Sequence, residues 1–363
     1  MRSQPMTPRL SRGILVGAIL LGGTAQAAIT RQEFSVTSDP GVELAVREVS
    51  DNNLQPGRPP VVLLHGARVP GVASFDLPVE GGSLAADLVR AGHRVFIMDA
   101  RGYGGSSRGG QDGSQDGQPL ARSNAVVRDI AAVVDVVQAR TGRSQVALLG
   151  WAAGGHWAGM YSSQNPDEVS HLVIYNSLYG AHSGHKTLGP GSDMADPNKP
   201  GEFHVKRFGA YRLNTAASLL PSWDRSIPIE DKAAWRDPRV VEAYQTAALA
   251  SDSTSASRNP PSFRAPSGAV ADSFDLASGR KLWDAGPITA HVLVIRSEND
   301  FWSRPEDVTT LAQDSRRAAS VRTVTIPGAT HYVHLDRPER GRSRLITEVT
   351  RTLARPATVK PCD

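Results

Sequence analysis

Cysteine is almost absent from this sequence, since Cys362 is the only one in 363 residues. A disulfide framework and a thiolate metal cluster both need several cysteines, so both are excluded. Dense runs of lysine and arginine are also missing, and three of the four net positive charges come from Arg2, Arg9 and Arg12. The rest of the chain is therefore nearly neutral, which argues against nucleic acid as a partner.

One uninterrupted apolar run lies near the N-terminus, at residues 14–21. It follows the three N-terminal arginines and precedes Ala25-Gln26-Ala27, whose small residues suit a cleavage site. This pattern predicts a secretory signal peptide over residues 1–27, cleaved after Ala27. The run is much shorter than the ~20 residues that a transmembrane helix needs. We therefore expect a periplasmic or secreted protein that makes no membrane contact after cleavage.

Short, mostly apolar runs recur along the rest of the chain. The six clearest lie at residues 60–64, 94–98, 145–149, 171–175, 291–295 and 321–326. Runs of this length that end at turn residues are typical of parallel strands buried on both faces. Helical patterns separate some of them, and the clearest has Val126, Ile130, Val133 and Val137 at helical spacing. The alternation predicts the α/β class, with a mostly parallel, doubly wound sheet.

The alternation stops between residues 176 and 285. This interval is rich in Pro, Gly and Ser, yet it contains six prominent aromatic residues, namely Phe203, Phe208, Tyr211, Trp223, Trp235 and Tyr244. A disordered linker is normally poor in aromatics. We therefore predict an inserted cap or lid at residues 176–285, between two parts of one core domain at residues 28–175 and 286–363.

The residues that follow the predicted strands form an ordered set of motifs. They are His65-Gly66-Ala67-Arg68, Asp99-Ala100-Arg101-Gly102-Tyr103-Gly104-Gly105-Ser106, Gly150-Trp151-Ala152-Ala153-Gly154-Gly155, Asn299-Asp300 and Thr330-His331. In open α/β sheets, functional residues gather at the carboxyl ends of the strands. The set resembles that of the α/β-hydrolase superfamily over about residues 58–175 and 286–355. The turn at residues 99–106 is its most specific part.

The resemblance implies an α/β-hydrolase fold of the serine esterase or lipase type. Its members carry a nucleophile, an acid and a histidine in that order along the chain. Position 152 corresponds to the nucleophile, on a tight turn between a strand and a helix that small neighbours such as Gly150 and Gly154 permit. Asp300 corresponds to the acid and His331 to the base.

The resemblance also implies an oxyanion hole made of backbone N–H groups. One donor would be Ala153, directly after the nucleophile position, and the other would be Ala67 or Arg68 in the loop after the first strand. We expect three polar residues to hold these loops together rather than to react: His65, Asp99 and Arg101.

The nucleophile itself is missing, because position 152 holds alanine. A methyl group cannot attack a carbonyl carbon, so the acyl-enzyme route is closed. Three interpretations remain open. Ala152 replaces a serine by deliberate substitution, or it is natural and Asp300 and His331 act alone as a general base on water or on a substrate proton. In the third interpretation, Ala152 is natural and the protein binds a small molecule without catalysis.

Aromatic residues near these motifs indicate the substrate class. Trp151, Phe75 and Tyr103 are predicted to line the pocket, which favours a small, mostly apolar substrate. The resulting hypothesis is hydrolysis of an ester or related acyl bond by an exported protein. No cofactor is expected, and no metal site either, because the scattered histidines lack a recognisable ligand spacing.

Overall fold

The structure is a computed structural model that describes residues 28–52, 54–108 and 117–357. Its strands are β1 (Thr30–Thr37), β2 (Glu43–Ser50), β3 (Val61–Leu64), β4 (Val95–Met98), β5 (Val146–Trp151), β6 (Val169–Tyr175), β7 (Ala195–Asp196), β8 (Lys199–Phe203), β9 (Tyr211–Thr215), β10 (Ser262–Pro266), β11 (His291–Asn299) and β12 (Ser320–Thr330). Its α-helices are α1 (Gly71–Phe75), α2 (Leu84–Arg90), α3 (Ser123–Thr141), α4 (Ala153–Gln164), α5 (Val205–Phe208), α6 (Leu220–Ser226), α7 (Pro238–Ala250), α8 (Gly268–Ala277), α9 (Pro305–Asp314) and α10 (Arg342–Leu353). The predicted signal peptide lies outside the described residues, as does Cys362.

Eight strands form one central sheet in the order β1-β2-β4-β3-β5-β6-β11-β12. Neighbouring strands run parallel from β4 to β12, whereas β1 and β2 are antiparallel to their neighbours. Every residue of β3, β4, β5 and β6 is buried. Strands buried on both faces need apolar side chains at every position, which explains the continuous runs. The sheet confirms the predicted α/β class.

The apolar runs do not reveal β1 and β2. Most of β1 is exposed, and β2 alternates between buried and partly exposed residues. An antiparallel strand with one face toward solvent shows alternating rather than continuous hydrophobicity. These two strands extend the sheet beyond β4 and lie far along the sheet order from β11 and β12.

A core cluster of apolar side chains covers each face of the sheet. Leu63 and Ile97 belong to one cluster, whereas their chain neighbours Val62 and Phe96 belong to the other. The predicted helix around residues 126–137 is confirmed as α3, which packs on the second cluster. Among the described residues, no helix combines the length and the hydrophobicity needed to cross a bilayer.

Residues 176–285 contribute no strand to the central sheet. They form two separate two-stranded sheets, β7 with β8 and β9 with β10, together with α5 to α8. Trp223, Tyr244 and Phe263 of this interval belong to the same core cluster as Leu63, and Ala269 belongs to the other. The interval therefore shares both cores with the sheet, while its description as a separate cap stays a prediction.

Glycines allow α4 to pack directly on the backbone of two strands. A Cβ atom added to Gly154 would lie 2.1 Å from the carbonyl oxygen of Leu64 in β3. A Cβ atom added to Gly150 would lie 2.1 Å from the carbonyl oxygen of Gly154. Both distances are far below van der Waals contact, so only glycine permits this approach. The contact fixes the turn between β5 and α4, which contains position 152.

We expect Gly154→Ala to destabilise the protein by about 1–3 kcal/mol, because the backbone of β3 must move to admit the methyl group. This loss exceeds the roughly 1 kcal/mol that alanine gains over glycine inside a helix. Denaturant unfolding measures the change. Gly201→Ala in β8 is the control, since no atom lies within 4 Å of the added Cβ there. Equal stability of the two variants would contradict this account of the turn.

Candidate active site

Position 152 has the backbone conformation of a strained turn. Ala152 joins β5 to α4 with φ 50° and ψ −114°, a region that residues other than glycine rarely occupy and that costs about 1–3 kcal/mol. Two hydrogen bonds hold it, since its N–H donates to the carbonyl of Tyr175 at 3.1 Å and its carbonyl accepts from the N–H of Gly155 at 3.0 Å. The turn therefore keeps the geometry that would present a nucleophile, although the side chain is a methyl group.

The predicted acid and base are in direct contact. Asp300 follows β11, His331 follows β12, and His331 Nδ1 lies 2.5 Å from Asp300 Oδ1. A proton on Nδ1 would donate to the carboxylate, which would leave the lone pair of Nε2 free to accept a proton. Nε2 makes no hydrogen bond within the described residues, and His331 lines a cavity. This is the arrangement that a general base requires.

The carboxylate of Asp300 is also held from its other side. Its Oδ2 accepts hydrogen bonds from the backbone N–H of Ser303 at 2.8 Å and from the Ser303 hydroxyl. Burial favours the neutral acid, but the attraction of His331 and the hydrogen bonds from His331 and Ser303 outweigh it and lower the pKa of Asp300. Asp300 therefore remains ionised and stabilises a positive charge on His331 when the ring takes up a proton.

His65 orients one candidate oxyanion donor. Its Nδ1 lies 2.7 Å from the carbonyl oxygen of Gly66, and its Nε2 accepts from the N–H of Ala100 at 3.2 Å. Burial lowers the pKa of His65, so the ring is neutral and donates through Nδ1. In a planar trans peptide, the carbonyl and the following N–H point in opposite directions. Holding the Gly66 carbonyl therefore directs the N–H of Ala67 away from His65.

The next peptide is fixed in the same way. The carbonyl oxygen of Ala67 accepts from the Tyr103 hydroxyl at 3.1 Å and from Nη2 of Arg212 at 2.6 Å. These bonds set the direction of the Arg68 N–H. Among the described residues, no acceptor binds the backbone N–H groups of Ala67, Arg68 and Ala153, so none of the three predicted donors is already used within the protein.

The turn at residues 99–106 has the expected supporting role. Asp99 accepts from the N–H of Gly71 at 2.7 Å and from the N–H of Gly105 at 3.0 Å. Arg101 forms an ion pair with the buried carboxylate of Asp129 at 2.6 Å. Both side chains are occupied by these contacts, and neither lines the cavity beside His331.

Asn176 is a site residue that sequence reasoning missed. It follows β6 with φ 51°, and its Oδ1 accepts from the N–H of Ser297 at 2.7 Å. Its Nδ2 donates to Ser297 Oγ at 3.0 Å and to the carbonyl oxygen of His331 at 3.0 Å. One buried amide therefore joins β6, β11 and the loop of the base. An asparagine directly after a buried strand was the available signal, because asparagine tolerates positive φ.

The cavity beside His331 has a volume of about 590 Å³. Its apolar lining includes Val69, Trp151, Ala152, Leu188, Met194, Tyr244, Val270, Phe301, Trp302 and Tyr332. Trp151 therefore lies where it was expected. Gly66, Ala67 and Arg68 also contribute to the wall, whereas Ala153 is fully buried at the start of α4.

The placement of Phe75 and Tyr103 corrects the prediction that they line the pocket. Neither contributes to the cavity wall, and both are fully buried. The Phe75 ring packs 5.6 Å from that of His334, and the Tyr103 ring packs 4.5 Å from that of His65. Tyr103 thus supports the oxyanion loop from the core side. Aromatic character shows that a side chain will be buried, but not which side of a loop it occupies.

Asp336 connects residues 176–285 to the loop of the base. Its Oδ1 accepts from Nε1 of Trp223 in α6 at 2.9 Å, and its Oδ2 accepts from the Thr330 hydroxyl at 2.7 Å. The Trp223 ring also stacks on Tyr332, with 4.8 Å between ring centroids. Burial raises the pKa of Asp336 to about 6, because hydrogen bonds compensate only in part for the lost hydration.

The chain is similar to known proteins that share this architecture. A family model described as alpha/beta hydrolase fold matches residues 59–338. Curated relatives include 2-hydroxy-6-oxononadienedioate/2-hydroxy-6-oxononatrienedioate hydrolases from Klebsiella pneumoniae, 32% identical over 134 residues, and from Paraburkholderia xenovorans, 31% identical over the same length. The matched segment is 36% of this chain and 41% and 40% of those two proteins, so the chain spans about two fifths of the curated relatives it matches.

Solved structures show the same fold over most of the chain. An esterase from Thermogutta terrifontis is 20% identical, with a TM-score of 0.53 and coverage of 90% of this chain and 100% of that one. The 2-hydroxy-6-oxo-6-phenylhexa-2,4-dienoate hydrolase from a Rhodococcus species is 16% identical, with a TM-score of 0.54 and coverage of 89% and 99%. Likeness at this level of identity concerns the fold alone.

We expect Asp336→Asn to change how stability depends on pH. Between about pH 4 and 6, the Asp336 carboxyl of the parent is protonated in the folded state and ionised in the unfolded state. Its contribution to folding stability therefore falls as pH rises through this range. The variant lacks this effect. Its free energy of unfolding relative to the parent should therefore rise by about 3 kcal/mol across that window. Denaturant unfolding at several pH values measures the difference.

The exposed Asp193 supplies the control for that comparison. Asp193→Asn is measured at the same pH values, so that the effect of losing a carboxylate at an exposed position is compared with the effect at the buried Asp336. A constant difference between Asp336→Asn and the parent would show that Asp336 ionises equally in the folded and unfolded states.

Proposed function

Since the chain belongs to the alpha/beta hydrolase fold family, we propose that it hydrolyses an ester or related acyl bond of a small molecule by direct attack of water. Asp300 and His331 act as the general base, and no acyl-enzyme forms. The observation that carries this proposal is the 2.5 Å contact between His331 Nδ1 and Asp300 Oδ1, with Nε2 left available beside the cavity. The activity and the substrate are proposals, because the chain spans only part of its curated relatives.

The proposed step conserves atoms and charge. His331 Nε2 removes a proton from water while the water oxygen bonds to the acyl carbon. The carbonyl π electrons move to the acyl oxygen, which accepts hydrogen bonds from the N–H groups of Ala153 and of Ala67 or Arg68. When the tetrahedral intermediate collapses, the bond to the leaving oxygen breaks and His331 returns the proton to that oxygen. The products are a carboxylic acid and an alcohol.

The rate of this route should be modest. General-base assistance contributes about 10²–10⁴-fold, and one oxyanion donor contributes about 10²–10³-fold. The covalent route of a serine enzyme is not available to Ala152. Activated esters with good leaving groups are therefore the substrates on which turnover is first expected.

A second candidate function is binding without catalysis, and the methyl group at Ala152 is the observation that favours it. A binding protein would retain the cavity and the fold but have no need of the base. The paired Asp300 and His331 and the strained turn at Ala152 favour catalysis instead, since strain at a backbone position persists only where the surrounding structure maintains it.

Hydrolysis of p-nitrophenyl acetate by single variants distinguishes these functions. We expect His331→Ala to lose at least about 10²-fold of the activity of the parent, because it removes the general base. Ala152→Gly should keep the parental rate, since the methyl group takes no part in the step. Ala152→Ser should gain activity and show a burst of nitrophenol from acylation.

His182→Ala is the matched control, because His182 is an exposed histidine outside the cavity. It should behave as the parent does. Equal rates in His331→Ala and in the parent would reject the proposed general base. An inactive Ala152→Ser variant that still folds would show that the donors or the base do not support acyl transfer at all.

We also propose that the mature protein acts outside the cytoplasm. The support is the pattern of residues 1–27, in which three arginines precede an apolar run and small residues at Ala25 and Ala27. The expected result is that the protein recovered from the periplasm or medium of an expressing bacterium begins at Ala28 by intact mass. Recovery of the full chain, starting at Met1, in the cytoplasm alone would reject the proposal.

A further inference from the structure

The cavity beside His331 contains an excess of positive charge. Arg68, Arg212 and Arg225 all line it, and none of them forms an ion pair within the described residues. Among the described residues that line the cavity, Asp300 is the only acidic one, and its carboxylate is occupied by His331 and Ser303. The three arginines therefore face a cavity in which the described lining residues supply no free counter-charge.

Arg212 is the arginine with the strongest need for an anion. It lies on β9, where its Nη2 donates to the carbonyl of Ala67, while its Nε is buried and has no hydrogen-bond partner. Burial lowers the pKa of Arg212 to about 10, because the cation has lost water and gained no carboxylate. A guanidinium that has lost part of its hydration and has no counter-ion is costly, and a bound anion would reduce that cost.

We propose that the substrate carries a carboxylate, separate from the acyl group that is cleaved, and that Arg212 binds it. The part of this inference that concerns the cleaved bond rests on the proposed function. The part that concerns binding of the anion does not depend on it. A guanidinium offers parallel N–H donors that match the two oxygens of a carboxylate. The apolar walls formed by Trp151, Leu188 and Phe301 accept the carbon skeleton between the two groups. The substrate class is therefore an acyl compound with an apolar body and a free carboxylate.

Arg68 and Arg225 support the same assignment. Arg225 is exposed at the edge of the cavity, where a positive charge attracts anions from solution. Arg68 is half-buried and donates through Nη1 to the carbonyl of Ser218 at 2.9 Å, which holds the side chain against the inserted interval. The positive field therefore extends from the edge of the cavity to Arg212.

The position of Arg212 also links anion binding to the oxyanion loop. The same guanidinium that would bind the carboxylate holds the Ala67 carbonyl, and that bond directs the Arg68 N–H. A carboxylate on Arg212 would therefore hold the guanidinium in place. Arg212 is in this respect a specificity-determining residue that also positions an oxyanion donor.

Calorimetric titration with phenylacetate and its neutral analogue phenylacetamide tests the proposal. The titrations use His331→Ala, so that binding is measured independently of hydrolysis. We expect phenylacetate to bind more tightly than phenylacetamide, and Arg212→Gln in that background to weaken phenylacetate by about 10- to 100-fold, the usual effect of a hydrogen bond to a charged group. Phenylacetamide affinity should not change.

Tyr103→Phe in the same background is the matched control, because it removes the other donor to the Ala67 carbonyl without changing the charge of the cavity. It should leave the preference for the acid over the amide unchanged. A preference lost equally in Tyr103→Phe and Arg212→Gln would show a structural effect on the loop and overturn the proposal.

Three further results would overturn it: equal binding of acid and amide, no binding of phenylacetate at millimolar concentration, and displacement of phenylacetate by inorganic phosphate at similar concentration. The last result would indicate a general anion site, since phosphate brings no apolar group. Failure of hydrolysis with the acid preference intact would reject the proposed function alone.

Discussion

The close contact of α4 with the backbone of β3 is the constraint from which the site is built. Gly154 touches the carbonyl of Leu64, and the carbonyl of His65 lies 2.6 Å from where its Cβ would be. This approach forces the sharp turn at Ala152 and places the start of α4 beside the loop that carries Ala67. The nucleophile position and the N–H of Ala153 therefore both depend on this packing contact. That contact is made by backbone and glycine, so it persists when the residue at position 152 is alanine.

Residues 176–285 contact both loops of the candidate site directly. Trp223 reaches Asp336 and stacks on Tyr332, next to the base, while Arg212 reaches the Ala67 carbonyl in the oxyanion loop. Side chains from the interval thus contact each of the two loops that would perform the chemistry. The geometry of both loops therefore depends on contacts with the interval.

The unusual chemical feature of this chain is that Asp300 and His331 are paired although position 152 lacks a nucleophile. The hydrogen bonds around Asp300, the neutral ring of His65 and the amide of Asn176 all serve the orientation of groups that would act on a bound molecule. The proposed reaction uses water in place of a serine hydroxyl, since neither the Asp300–His331 contact nor the backbone N–H groups depend on the side chain at position 152.

The sequence by itself determined the α/β class, the six parallel strands and the positions of Asp300 and His331, because buried strands need continuous apolar runs and functional residues follow their carboxyl ends. It did not reveal β1 and β2, whose exposed faces interrupt the apolar pattern. Only the tertiary structure decided that Phe75 and Tyr103 face the core. It also decided that Asn176 and Asp336 join distant loops and that Arg212 lines the cavity. These roles depend on contacts between residues far apart in the chain, such as Arg212 with Ala67 and Trp223 with Asp336, and local sequence patterns contain no information about which distant side chains will meet.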